Sequence, residues 1–211
     1  MGLTDSSNGQ EVRGRLERRG LRLEYATIGW NVVEMAITIA LGVAARSLAL
    51  VAFGLDTMVE LFASGVVVWH LRHPGRGSNA VTAKALRLVA VAFLVLALVV
   101  TVGGVWALVV GAVPDESPLG MAYLTLTVLV MLTLGKAKRR TGRQLESKPL
   151  VAEAHMSIID AGLALAVLVG LGANILAGWW WADAVAALVV AAAAVREGIE
   201  HLEEANELVA G

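Results

Sequence analysis

The sequence has no cysteine, so it can form neither a disulfide framework nor a thiolate metal site. Charge is also scarce: 17% of the residues are charged and the net charge is −1, which provides no basic field for nucleic acid. Residues 1–20 are polar and rich in arginine without an apolar core, which excludes a signal peptide there. The sequence shows no nucleophile–base pair and no phosphate-binding loop, which argues against an enzyme.

Apolar residues dominate the composition instead. Of the 211 residues, 57% are hydrophobic, and the mean hydropathy is +0.72. Soluble domains rarely have such a composition, whereas membrane proteins with several spans do. We therefore predict an all-α, polytopic membrane protein, because only helices or closed barrels satisfy every backbone group in lipid.

Six apolar segments are near the length of about 20 residues that a spanning helix needs. They predict a six-helix transmembrane domain over residues 21–198. We expect residues 1–20 to be a disordered basic tail and residues 199–211 to be a short acidic tail or helical extension. The six segments cover residues 23–44, 47–71, 85–112, 119–134, 150–176 and 178–195.

The loops predict the orientation, because basic residues accumulate on the cytoplasmic side of a membrane. The alternate loops contain Arg46 alone, then Asp115 and Glu116, and then nothing charged before Trp179. Both termini and two basic loops are therefore predicted to be cytoplasmic, in the cell membrane. The basic residues are Arg13, Arg15, Arg18, Arg19 and Arg22; then Arg72, Arg76, Lys84 and Arg87; then Lys136, Lys138, Arg139, Arg140, Arg143 and Lys148.

Two acids lie near the middle of the second segment. Asp56 and Glu60 are four residues apart, so they share one helix face about 40° apart. Each charge at the bilayer centre costs roughly 2.5–3.5 kcal/mol on insertion scales, so such residues are rare and usually functional. A bound cation would offset the cost, which makes the pair a candidate metal site.

Two more acids are predicted at a similar depth. Asp56 lies roughly 13 Å from the outer side and Asp160 roughly 15 Å from the cytoplasmic side, by helical rise. Glu34, with Asn31 one turn earlier, is about midway along the first helix. No lysine or arginine is expected inside the membrane to neutralise these groups, so they predict bound cations or shared protons.

The fifth segment carries further candidates. Glu153, Met156 and Asp160 form one stripe, whereas His155 lies about 140° from Asp160 around the axis. His155 is therefore expected to line the cytoplasmic approach rather than to share a metal with Asp160. Other readings remain open: protonated, hydrogen-bonded carboxylates, a structural clamp by Asn31 and Glu34 on the second helix, a solvated Glu153, and Met156 as a packing residue. Asp183 is expected to be an N-terminal cap.

These residues resemble the cation diffusion facilitators over about residues 20–200. SLALVAFGLDTMVELFAS is similar to that family's second helix, LVAEAHMSIIDAGLALAVLVGLGAN to its fifth and GWWWADAVAALVVAAAAVREG to its sixth. The resemblance implies that the second and fifth helices each supply two metal ligands. These would be Asp56 and Glu60 from one helix and Asp160 with Met156 or His155 from the other.

The chain departs from the family pattern in specific ways. Met156 stands where the family usually has His, His155 is one residue early, and Glu60 replaces an Asp. Most members also have a cytoplasmic metal-binding domain after the sixth helix, and we expect only the membrane domain here.

The resemblance implies proton-coupled efflux of a divalent transition metal (zinc, manganese or iron) as substrate, with no permanently bound cofactor. It also implies a homodimer in the lipid bilayer, with Glu34, Asn31 and Glu153 in a secondary or proton pathway. Two alternatives remain. One is a non-transporting metal sensor or partner subunit with the same fold. The other is a channel or a carrier of small organic cations, for which only Trp30 and Phe53 could line a cage.

Overall fold

The part of the chain that the structure describes folds into six helices. The computed structural model describes the backbone of residues 3–72 and 79–210, and the side chains of 13–62, 81–147, 150–151 and 153–209. The loop around Arg76 and the extreme ends of both predicted tails lie outside the described residues. The helices are α1 (Leu3–Ala45), α2 (Leu48–Arg72), α3 (Asn79–Val110), α4 (Pro118–Leu145), α5 (Lys148–Ala177) and α6 (Ala182–Ala210).

Helix α1 is longer than the sequence predicts. It begins at Leu3, where a disordered tail is expected over residues 1–20. The ion pair between Arg13 and Glu17, with 3.3 Å between Nε and Oε1, has the i, i+4 spacing that supports a helix. At the other end of the chain, α6 continues through the acidic segment to Ala210, so that segment is the helical extension rather than a tail.

The helices form two groups. Helices α1, α2, α4 and α5 pack side by side, whereas α3 and α6 form the most extensive helix pair in the structure. The α3–α6 pair is close because glycines and alanines line it: a Cβ on Gly198 would lie 3.0 Å from the Leu94 side chain. The main core joins this pair to α2 and α5 and includes Phe53, Phe93 and Val167.

The outer surface is apolar. Within the described ranges, α1, α3, α4 and α5 each contain a stretch that is long and apolar enough to cross a bilayer. Large apolar side chains are exposed around the bundle, among them Trp106 at 66% and Leu176 at 84%. A surface of this kind requires lipid as its solvent, so the protein is an all-α, polytopic membrane protein.

The structure contains an internal repeat that the sequence analysis did not anticipate. At the α1–α2 turn, Ser47 N donates to Gly42 O at 2.9 Å and Val51 N to Ser47 O at 3.2 Å. At the α4–α5 turn, Ser147 N donates to Gly142 O at 2.9 Å and Val151 N to Ser147 O at 3.2 Å. The preceding residues share a left-handed backbone, with φ of 52° at Arg46 and 53° at Glu146. Each residue named at the first turn is thus matched by the residue 100 positions later at the second turn.

The two repeats have opposite directions. Gly120, at the start of α4, packs against the Leu50 side chain at the start of α2, whereas Gly20 of α1 packs against Leu150 at the start of α5. The α1–α2 turn also bonds to the α3–α4 loop, because Asp115 N donates to Ala45 O. The turns at Ser47 and Ser147 therefore lie at opposite ends of the bundle, which we name the Ser47 end and the Ser147 end. Helices α1–α2 and α4–α5 therefore form an inverted-topology repeat.

Candidate metal-binding site

Helix α2 is held at its N-terminus by a residue of α6. The Asp183 carboxylate accepts hydrogen bonds from the Ser47 hydroxyl, from Leu48 N at 2.9 Å and from Ala49 N at 3.4 Å. Asp183 is therefore a cap, as expected, but it caps α2 rather than its own helix. Free N–H groups and the helix dipole make this end favourable for a carboxylate. The cap fixes the axial position of α2 and so the depth of its acids.

Close packing against α1 fixes the rotation of α2. A Cβ on Gly54 would lie 2.6 Å from Thr38 Oγ1, so only glycine allows this approach of the two helices. Two residues later, Asp56 is buried with 2% exposure, and its Oδ1 has no hydrogen-bond partner in the described part of the chain. Glu60, one turn further on, is only partly buried. A buried carboxylate oxygen without a donor is costly, which suits a transient cation site.

Asp160 brings the fifth helix into the same group. It is 8% exposed, and it interacts electrostatically with Asp56 and Glu60 across the α2–α5 interface. The structure thus brings together the three carboxylates that the sequence predicts as ligands. Among the described residues, however, no three His, Asp or Glu side chains are close enough to hold one metal ion. The acids form a loose group, as mutual repulsion favours.

A fourth acid of the group was missed. Glu197 of α6 is 8% exposed and interacts electrostatically with Asp56, Glu60 and Asp160. The sequence analysis did not single it out. A helical pattern could have identified it, because Glu197 continues the buried α6 stripe through Val190 and Ala194 at spacings of three and four residues.

The repeat gives an independent alignment of the fifth helix. Asp56 corresponds to Met156 and Glu60 to Asp160, whereas His155 corresponds to Leu55. The side-chain bonds agree, because Thr57 Oγ1 donates to Phe53 O and Ser157 Oγ to Glu153 O, both at 3.1 Å. Met156 is partly buried and His155 is exposed. The repeat therefore places Met156 and Asp160 on α5 at the positions that Asp56 and Glu60 occupy on α2.

A lysine of the basic segment after the fourth span is buried between helices, where the sequence analysis expected a loop. Helix α4 extends to Leu145 instead of ending near residue 134, and its Lys138 is fully buried. Lys138 Nζ lies 3.0 Å from Glu24 Oε2 of α1 and 3.6 Å from Glu153 Oε2 of α5. Acids on two neighbouring helices thus compensate the ammonium group. Glu153, which is 52% exposed, is an ion-pair partner as well as a partly solvated residue.

Glu34 of α1 faces α4 as well as the metal-site acids. It is 1% exposed, and its carboxylate accepts side-chain hydrogen bonds from Thr127 of α4 and from the indole of Trp30. The negative charge of the Glu34 carboxylate also repels those of Glu60 and Asp160. Asn31, one turn earlier, is partly buried, and its Oδ1 has no partner within the described residues.

Comparison with known proteins gives one match. The family model described as the cation efflux transmembrane domain matches residues 25–207, which is most of the chain. No curated protein matches the sequence.

Proposed function

Because the chain belongs to the cation efflux family, whose members transport metal cations, we propose that it exports a divalent transition metal in exchange for protons. The observation that carries this proposal is the group of Asp56, Glu60 and Asp160 across the α2–α5 interface. The basic loops predict which ends of the helices face the cytoplasm, and we propose that the protein takes up the metal ion from that side. We further propose a homodimer in the cell membrane, as is usual in the family.

Competition between metal and protons supplies the exchange chemistry. A metal ion binds only ionised carboxylates, so its arrival at Asp56, Glu60 and Asp160 releases whatever protons they hold. Closer approach of α2 and α5 would draw the loose acids around the ion, since the positive charge removes their repulsion. Opening to the more acidic side would then return protons and release the metal.

The inverted repeat supports alternating access. In transporters built from inverted repeats, substrate sites lie near the bilayer midplane where the two halves meet. Here Asp56 and Glu60 belong to the first half and Asp160 to the second. A rocking motion of one half against the other would open the Ser47 end and the Ser147 end in turn.

The ligand set predicts modest selectivity. Three carboxylates form an oxygen-rich site that accommodates manganese or ferrous iron relatively better than an imidazole-containing site does. The repeat supports Met156 as the fourth ligand, whose thioether suits softer metals such as zinc. His155 would serve the approach to the site, because it is exposed and off the ligand stripe.

The proposal is tested with Asp56→Asn in proteoliposomes. Wild type should take up zinc or manganese and release protons in proportion, and Asp56→Asn should lose most of both. Asp115→Asn is the matched control, because its carboxylate is 57% exposed in a loop. Normal metal binding by Asp56→Asn, or uptake without proton release, would refute the exchanger.

A non-transporting sensor or partner subunit is the alternative. It is favoured by the absence of a chelating trio among the described side chains and by methionine at the usual histidine position. Saturable metal binding without flux in liposomes that contain the pure protein would establish it.

A further inference from the structure

Two rows of basic side chains lie on the outside of the Ser147 end, and we name them the basic stripes. Every member is exposed. With 3.6 residues per turn, the members of each stripe lie within about 60° of one another around the helix axis. They are on the side opposite to buried Gly20 on α1 and to buried Lys138 on α4. The α1 stripe is Arg15, Arg18 and Arg22, and the α4 stripe is Lys136, Arg140 and Arg143.

The two stripes lie at a similar depth in the bundle. Leu150, at the start of α5, is close to both helices. A Cβ on Gly20 of α1 would lie 3.2 Å from the Leu150 side chain, and a Cβ on Gly142 of α4 would lie 3.3 Å from the Leu150 backbone. Arg22 follows Gly20 by two residues and Arg143 adjoins Gly142. The basic residues of both helices therefore surround the same end of the protein.

This depth is that of lipid headgroups. From Ala45, where α1 ends, helical rise places Tyr25 about 30 Å away, which equals the thickness of the hydrocarbon core. Tyr25 is 65% exposed on the same face as the α1 stripe, and tyrosine is enriched where hydrocarbon meets headgroups. Arg22 lies about 5 Å beyond Tyr25 and Arg18 about 10 Å beyond it, so these long side chains reach the headgroup layer.

The stripes have no acidic partners in the protein. None of the six basic side chains is in an ion pair with another described side chain. Exposure alone does not explain this, because other exposed arginines do pair with acids. Arg13, Arg46 and Arg196 form ion pairs with Glu17, Asp115 and Glu200, respectively. The stripes therefore leave six positive charges available to an external anion.

The repeat shows that the fold does not require charge at such positions. The α4 stripe corresponds to three residues of α1 near the Ser47 end that are also exposed but apolar, namely Ala36, Ala40 and Val43. Orientation in a membrane requires only a surplus of basic residues near one face, wherever their side chains point. Two outward-facing stripes at one depth are a more specific arrangement.

Charge and depth together define the partner. We infer that the basic stripes bind the headgroups of anionic phospholipids. Guanidinium groups match the oxygens of a phosphodiester in charge and geometry, and basic clusters beside membrane helices attract anionic lipids. The face of each stripe continues into exposed apolar side chains, Tyr25 on α1 and Leu129 on α4, at 65% and 59% exposure. These side chains suit acyl chains and not a soluble acidic partner.

The test is thermal unfolding of the purified full-length protein in detergent micelles. Phosphatidylglycerol is added to one sample and the same amount of phosphatidylcholine to another. At about 100 times its Kd, phosphatidylglycerol should raise the Tm by about 5 °C or more relative to phosphatidylcholine. Added sodium chloride should reduce this difference, because salt screens exposed charges. Two soluble probes, glycerol phosphate and a poly-glutamate peptide, are measured in parallel.

Variants assign the response to the stripes. A triple variant of either stripe should lose at least half of the lipid-dependent rise in Tm. The matched control removes the same charge from exposed arginines outside the stripes and should keep the rise. If the α1 variant does not fold, comparison of the α4 variant with the control decides. The α1 variant is Arg15→Gln, Arg18→Gln and Arg22→Gln, the α4 variant is Lys136→Gln, Arg140→Gln and Arg143→Gln, and the control is Arg13→Gln, Arg46→Gln and Arg196→Gln.

Each outcome supports or overturns the inference. A rise with phosphatidylglycerol that the stripe variants lose and the control keeps supports it. Equal losses in the stripe variants and the control would show attraction to net charge only, and would overturn it. So would equal Tm values with phosphatidylglycerol and phosphatidylcholine. A rise of the same size with glycerol phosphate would identify a free phosphate site instead, and one with poly-glutamate alone would identify a soluble acidic partner.

Discussion

Lys138→Met tests the buried ion pairs between α1, α4 and α5. The ammonium group is fully buried, and Glu24 is 29% exposed with its Oε2 at 3.0 Å from Nζ. Methionine keeps the length and apolar stem of lysine but removes the charge. The substitution therefore leaves the Glu24 carboxylate in a partly buried place without its cation, and we expect the stability to fall.

The size of the stability loss depends on whether the Glu24 carboxylate becomes protonated or hydrated once Lys138 is removed. Protonating an ordinary glutamate at pH 7 costs about 4 kcal/mol, from a pKa of about 4.3 and 1.36 kcal/mol per unit. That is an upper limit, because an exposed fraction of 29% also allows partial hydration. Losing a partner of a buried charge usually costs about 3–5 kcal/mol. We expect Lys138→Met to lower the free energy of unfolding by about 2–4 kcal/mol.

The assay is unfolding in mixed micelles by SDS titration, with a double-mutant comparison. Arg139→Met is the matched control, since that neighbouring side chain is exposed, and it should change stability by less than about 0.5 kcal/mol. Glu24→Gln introduced together with Lys138→Met should recover at least half of the loss, because the only carboxylate left without its cation is then Glu153, which is 52% exposed. Equal effects of Lys138→Met and Arg139→Met would refute the reasoning. So would a double variant less stable than Lys138→Met alone.

Three further predictions concern topology, the α2 cap and metal preference. Cysteines at Ser6 and Glu116 should label from opposite sides of intact cells, and labelling of both from outside would contradict cytoplasmic termini. Asp183→Asn should lower the free energy of unfolding by about 1–2 kcal/mol in the same assay, because an amide cannot accept all the hydrogen bonds that the carboxylate accepts. An unchanged unfolding midpoint would exclude the cap as a stabilising contact. Met156→His should raise zinc affinity relative to manganese by at least tenfold in calorimetry, since imidazole suits zinc; an unaltered ratio would show that position 156 is not a ligand.

The sequence was sufficient for the helices, and it singled out three of the four acids that the structure groups together. Six apolar segments near the spanning length predicted six helices, because lipid requires long runs of apolar residues. The acids Asp56, Glu60 and Asp160 stood out because charge is rare inside such runs, and in the structure they are near enough to repel one another. Their role as ligands stays a prediction.

Other features could not be found from hydropathy. Lys138 lies in a basic segment that resembles a loop, and only the acids of two other helices explain its burial. Glu197 lies among solvated charges, although its position on a buried stripe distinguishes it. The repeat escaped notice because few residues are identical between the halves. It becomes evident when the hydrogen bonds around Ser47 and Ser147 are compared.

The cap on α2 has a consequence for the populations of the proposed transport states. Asp183 belongs to α6 but accepts hydrogen bonds from the first residues of α2. Any state in which α6 moves away from the Ser47 end must break these bonds. Each 1.4 kcal/mol that they contribute changes the ratio of closed to open molecules tenfold. A single carboxylate that is not one of the metal-site acids would thus set how often this end of the protein opens.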